Sequence, residues 1–299
     1  MTDRPMKTTF VQHIDFTKPV RFARDVYYFE YGGVRFKLVQ NDPSKYCDAI
    51  LTVMPNGDRV AEGRAFAAAG EFVSALAWKV GLPMAVAPGG GMGLPGEVAL
   101  EDARCSCFGL PQFVTTGNIR GHSLSRIAAI ETDEQRRALS LVREAQSANK
   151  AILAFLLYWQ VMDIRPRRLQ SPQNLGKWVD SMIGGGALGL HLHAADRAVL
   201  GRHCGKRSLG TYFEDDCRHA IAHLRRDPGR KTFVFDDHTD LVRMRVSVQA
   251  VRDLAEQYIR KVLDLTKGMT LYRQGSQGFP LYIRDGAVPR GQGYVLAYR

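Results

Sequence analysis

The chain has 299 residues, 45% of them hydrophobic and 24% charged. That balance excludes a disordered or fibrous protein and supplies material for two cores of ordinary size. The net charge is +11, concentrated in residues 165–231, where thirteen Lys and Arg face six Asp and Glu; a polyanion such as RNA suits that segment, and so does a merely soluble basic surface.

No run approaches the roughly 18 consecutive apolar residues of a membrane-spanning helix. The N-terminus, Met1-Thr2-Asp3-Arg4-Pro5, lacks the apolar core of a secretory signal. Cytoplasmic residence with no membrane partner is the expectation. Five cysteines at irregular spacings, Cys47, Cys105, Cys107, Cys204 and Cys217, make a poor disulfide framework and are expected to be reduced.

In chain order, Val26 to Glu30 and Val34 to Val39 are rich in aromatic and branched residues around Tyr31-Gly32-Gly33, which predicts a hairpin. The apolar run Ala49 to Met54 precedes a turn at Pro55-Asn56-Gly57-Asp58. From Glu62 to Val80 the apolar spacing changes to three and four, with Phe66, Ala69, Val73, Leu76, Ala77 and Val80 on one face; a helix closed by Gly81 is expected. Met84 to Ala87 reads as a strand. Gly91-Met-Gly93-Leu-Pro-Gly96 matches the glycine spacing of a dinucleotide-binding turn, but Pro88 and Pro95 interrupt it and a loop is expected. Residues 1–125 thus form an α+β domain of regulatory or sensing type.

Thr132-Asp133-Glu134 opens a helix expected to run about seven turns to Pro166, apolar nearly all round at Phe155 to Met162. Shorter helices follow at Leu175 to Met182 and Ala194 to Leu200. Thr211-x-x-Glu214 has the form of a capping box and predicts a helix ending at Asp227-Pro228-Gly229. Lys231 to Val248 reads as a connecting excursion with a small hairpin. A last helix carries Val251, Leu254, Ala255, Tyr258, Val262 and Leu265 on one face. Residues 130–267 make a helical domain, and residues 268–299 a β-rich tail, with Thr270 to Tyr272, Leu281 to Arg284 and Tyr294 to Tyr298 able to rejoin the first sheet. The fold class is α+β, a β-containing N-terminal domain followed by an α-helical bundle.

On the helix from Tyr212 to Leu224, an α-helical spacing of about 100° per residue puts Phe213, Cys217, Ala220, Ile221 and Leu224 in one stripe, and Arg218, His219 and His223 away from it. Arg218-His219-x-x-x-His223 resembles the motif of ribonucleases of the HEPN superfamily, and the flanking helices, about Asp133 to Leu265, resemble the bundle that carries it. More narrowly, the chain resembles methylamine-utilization proteins and phage-defence HEPN proteins. The resemblance implies metal-independent endoribonuclease activity, as a toxin or antiviral defence effector, without cofactor or metal. It implies His223 as acid or base, Arg218 on the scissile phosphate and His219 assisting. RNA would be the substrate and a homodimer the working unit, with a protein partner or antitoxin for control. The other reading within the same family is a non-catalytic accessory protein that binds nucleotide, RNA or protein. His titrates near neutral pH and Arg offers a fixed bidentate charge, so the residue types suit metal-free phosphodiester chemistry.

Arg165, Arg167 and Arg168 beyond the long helix, with Arg225 and Arg226 beyond the motif, are the candidate RNA contacts. Two further readings stay open. On the first, the motif is only a solvated helix face, Arg218 pairing with Glu214 four residues earlier. Metal pairs from His219 with His223, or from His191, His193, His203 and Cys204, match no recurring ligand spacing.

Overall fold

The chain divides into two units, Met1–Ile130 with Lys267–Arg299, and Glu131–Thr266, with ten strands among the described residues. A computed structural model describes residues 7–16, 26–39, 49–55, 57–87, 91–93, 98–100, 102–103, 126–128, 130–164, 174–183, 190–222, 237–265, 268–273, 280–284 and 297–298. The class is α+β.

In the first unit, β1 (Lys7–Phe16), β2 (Val26–Tyr31), β3 (Val34–Val39), β4 (Ala49–Pro55), β5 (Met84–Ala87) and β10 (Ala297–Tyr298) lie in the order β10-β2-β3-β4-β1-β5. Gly32 and Gly33 close the β2–β3 hairpin with φ of 58° and 74°, the left-handed pair a two-residue turn needs. Helix α1 (Arg59–Val80) starts on the Asp58 carboxylate, which accepts from the amides of Val60 and Ala61, and stops at Gly81 with φ 66°. It lays Ala69, Phe72, Val73 and Leu76 on the sheet, where the Phe72 ring stacks 4.2 Å from Phe29. Phe66, expected on that face, is 40% exposed; the buried stripe runs through Ala65, Ala68 and Phe72 instead.

Two N-terminal expectations change. Lys7–Phe16, not singled out above, is the strand that pairs β4 along one edge and β5 along the other. Gly91–Gly93, expected in a loop, forms the short strand β6 against Thr8–Phe10. The tail divides: β10 joins the large sheet beside β2, whereas β8 (Gly268–Arg273) and β9 (Pro280–Arg284) form a second sheet with β7 (Arg126–Ala128). The helical unit is therefore inserted between β7 and β8, which pair antiparallel with Ala128 opposite Gly268.

Within that unit the expected seven-turn helix is two, α2 (Asp133–Ser147) and α3 (Ala151–Asp163), because Ala148 turns to an extended conformation at ψ 126°. Thr132 opens α2 with a full capping box, Gln135 answering it. Gln135 also donates its side-chain amide to the Leu263 carbonyl at 2.8 Å. Helices α4 (Leu175–Met182) and α5 (Ala194–Cys204) follow. The last helix, α8 (His238–Lys261), begins where a hairpin was expected, since Asp237 caps the amides of Thr239 and Asp240. Its predicted face, Val251, Leu254, Ala255 and Tyr258, is wholly buried, and the Tyr258 hydroxyl donates to the Ile164 carbonyl at the end of α3, 2.8 Å away. No helix among the described residues is long and apolar enough to cross a membrane.

Helix α6 (Leu209–Tyr212) crosses α4 backbone to backbone. A Cβ built on Gly210 would stand 2.0 Å from the Gly176 carbonyl oxygen, so no side chain fits there without parting the helices. Gly210→Ala is expected to lower stability by about 3 kcal/mol or more, read from the urea midpoint. Gly201→Ala, in α5 with nothing within 4 Å, is expected to be neutral or to stabilise by up to about 1 kcal/mol.

Candidate functional site

The motif helix does not begin as the sequence suggested. Its first turn is α6, with Ser208 ahead of it, so Thr211 lies inside the helix rather than at its cap. The cap comes from another helix: Asp180 of α4 accepts from the Gly210 amide at 2.7 Å and from the Ser208 hydroxyl. A carboxylate at a helix start satisfies orphan donors and suits the helix dipole. Glu214, read as the capping partner, is free to act elsewhere.

After α6 the backbone widens into a π-helical stretch, Phe213–His219, and then tightens into α7 (Ala220–Ala222). In a π-helix hydrogen bonding runs from i to i+5, so residues four and five apart share a face. Phe213 anchors the stretch in the core, its ring 6.0 Å from Trp159, 6.1 Å from Phe155 and 5.6 Å from Tyr212. Cys217 is buried beneath Ser247 of α8, 3.7 Å away. The Ser247 hydroxyl donates to the Arg243 carbonyl at 2.9 Å, and Tyr212 Oη stands 3.4 Å from it. Arg243, 6% exposed, reaches Asp240 at 2.9 Å.

The widened register places three polar groups together. Glu214 Oε1 is 3.2 Å from Arg218 Nη1 and 3.2 Å from His219 Nε2, its partners four and five residues on. Arg218 Nη1 lies 2.6 Å from His219 Nε2. An arginine has no lone pair to offer, so in this contact Nε2 is the acceptor, and the ring's other nitrogen is Nδ1. That nitrogen is 3.6 Å from Asp215 Oδ1. The Arg218 side chain is 41% exposed and that of His219 24%, whereas Glu214 is 12% exposed; the first two are open to a ligand and the third supports them from below. On the far side of the turn, Asp216, 7% exposed, is held by the fork of Arg207, which pushes the Arg207 pKa up, mainly through that hydrogen bond.

Thus Arg218 and His219 are brought together on a half-exposed edge. His223, Arg165, Arg167, Arg168, Arg225 and Arg226 lie outside the described residues. His191 bonds through its backbone to the Gln257 side chain, and the His193 ring lies 3.9 Å from Asp253; no group of three or more His, Cys, Asp or Glu that could hold a metal gathers among the described residues. The residues missed by sequence reading were Asp180, hidden because it caps a helix thirty residues on, and Asp215. The signal for the latter was present in the run Glu214-Asp215-Asp216 ahead of Arg218-His219.

The family model for methylamine utilization protein MauJ matches residues 138–260, a span that encloses the π-helical stretch. No curated protein and no solved structure matches the chain.

Two outcomes follow from this geometry. Asp180→Ala removes the carboxylate from the start of α6 and is expected to cost about 1 kcal/mol, measured by thermal or urea unfolding. Burial pushes the thiols of Cys204 and Cys217 up to about 11, so at about pH 8 only about one in a thousand is thiolate. Peptide mapping should find both unmodified by iodoacetamide in the folded protein and alkylated in guanidinium.

Proposed function

We propose that the helical unit is an RNA-cleaving module of the HEPN type that needs no metal, with Arg218, His219 and His223 as its reacting groups. The observation that carries this reading is the Arg218–His219 pair, held together on a half-exposed edge of a π-helical turn, an imidazole beside a fixed guanidinium. Imidazole side chains exchange protons near neutral pH, as acid and base roles require. In the proposed reaction a histidine takes the proton of the RNA 2′-hydroxyl, the 2′-oxygen attacks phosphorus, and the 5′-oxygen leaves with a proton from a second acid. The products are a 2′,3′-cyclic phosphate and a 5′-hydroxyl end. Arg218 would bear on the non-bridging oxygens, where charge builds.

One motif supplies few proton carriers, and a second copy of the chain would supply the rest across a symmetric interface. Arg165, Arg167, Arg168, Arg225 and Arg226 are proposed to guide the RNA backbone. A cytoplasmic toxin or defence effector, restrained by an antitoxin or other protein partner, is the setting this activity suits.

A second reading has its own support. Glu214 already neutralises Arg218 within the chain, as expected of a solvated helix face, and the matching family model is described by methylamine utilization rather than by a nuclease activity. On this reading the chain is a non-catalytic accessory protein that binds a nucleotide, RNA or protein.

RNA incubated with the protein in EDTA separates the two. Cleavage leaving cyclic phosphate ends is expected for the native chain, with Arg218→Ala and His223→Ala each slowing it about a hundredfold or more. Intact RNA with native chain and variants alike rejects the nuclease; salt-dependent RNA binding without cleavage then favours the accessory protein.

A further inference from the structure

We propose that Glu214 is an internal stand-in for phosphate on Arg218, holding the guanidinium that a phosphodiester takes over when RNA binds. The inference rests on the reading of this turn as an RNA site and concerns what the site holds when empty. Glu214 Oε1 lies 3.2 Å from both Arg218 Nη1 and His219 Nε2, and the first of these would face a phosphate oxygen. Its other oxygen, Oε2, is buried and has no hydrogen-bond partner among the described residues. A carboxylate satisfied on one oxygen and buried without a partner on the other is held less firmly than a fully bonded one. Asp216 shows the contrast: the fork of Arg207 grips it.

The charge balance points the same way. From Phe213 to His219 the turn carries Glu214, Asp215 and Asp216 against Arg218, and Asp216 is already answered by Arg207. With Glu214 in place, Arg218 shows little net charge to an approaching anion. Because Arg218 is 41% exposed, its guanidinium can leave Glu214 for an incoming phosphate; Glu214, 12% exposed, stays behind beneath His219. Phosphate then exchanges one anionic partner of Arg218 for another, while the carboxylate stays beside His219.

The test measures binding of a fluorescein-labelled, fully 2′-deoxy oligonucleotide, which cannot be cleaved by a 2′-oxygen, to four full-length proteins: native, Glu214→Gln, Arg218→Ala and the double variant. Glutamine keeps the shape and the hydrogen bonding of Glu214 and removes its charge. Glu214→Gln should bind about fivefold more tightly than the native chain, and the gain should vanish when Arg218 is absent. Equal or weaker binding by Glu214→Gln overturns the proposal and makes Glu214 a positioning residue for Arg218. A gain that persists without Arg218 also overturns it, since that is the general effect of one less negative charge. Unfolding midpoints of the four proteins show that each is folded. Failure of RNA cleavage by the native chain would reject the nuclease and leave this cycle readable, because it scores binding alone.

Discussion

Backbone contact between α4 and α6 at Gly176 and Gly210 sets where the motif helix leaves the core. With no Cβ on either side, the Asp180 carboxylate reaches the Gly210 amide and caps a helix to which it does not belong. Downstream, Phe213 enters the aromatic cluster of Phe155 and Trp159, and Cys217 meets Ser247. The start of the motif helix is pinned by polar contacts and its inner face by apolar ones. Arg218 and His219 are left on the one side that is neither.

What an α-helical wheel treats as two separate directions, the π-helical register merges into one. Glu214, Arg218 and His219 converge because residues four and five apart both face the same way when hydrogen bonding runs from i to i+5. Adjacent residues at 218 and 219 then touch through their side chains. A polar cluster of this density on a single helical turn is a consequence of backbone form, not only of residue choice.

Much of the fold was legible where local chemistry and tertiary packing agree. The glycine pair at 32 and 33, the Thr132 cap and the stripe from Val251 to Leu265 each carry a local signal that packing reinforces. The break after Ser147 has neither glycine nor proline to announce it. The start of α8 was obscured because Val242-Arg-Met-Arg-Val246 alternates like a strand, whereas Arg243, with Asp240 as partner, and Met244 are both buried. At the site, Arg218 and His219 were visible as a pattern, and so was the pairing of Arg218 with Glu214. The contact of Glu214 with His219 was not, since π-helical spacing leaves no periodic trace over seven residues and Asp180 acts from thirty positions away.

Insertion of the helical unit between β7 and β8 orders events on the ribosome. The whole of residues 131–266 is made before Gly268–Arg273 can pair with Arg126–Ala128 and before Ala297–Tyr298 can cover β2. Until then β2 is an open edge of the large sheet, with unpaired backbone groups able to recruit another chain. Ala297 and Tyr298, made after the helical unit, pair with Tyr28 and Tyr27, so a nascent chain that has not yet reached them would hold a finished helical unit while that stretch of β2 is still unpaired.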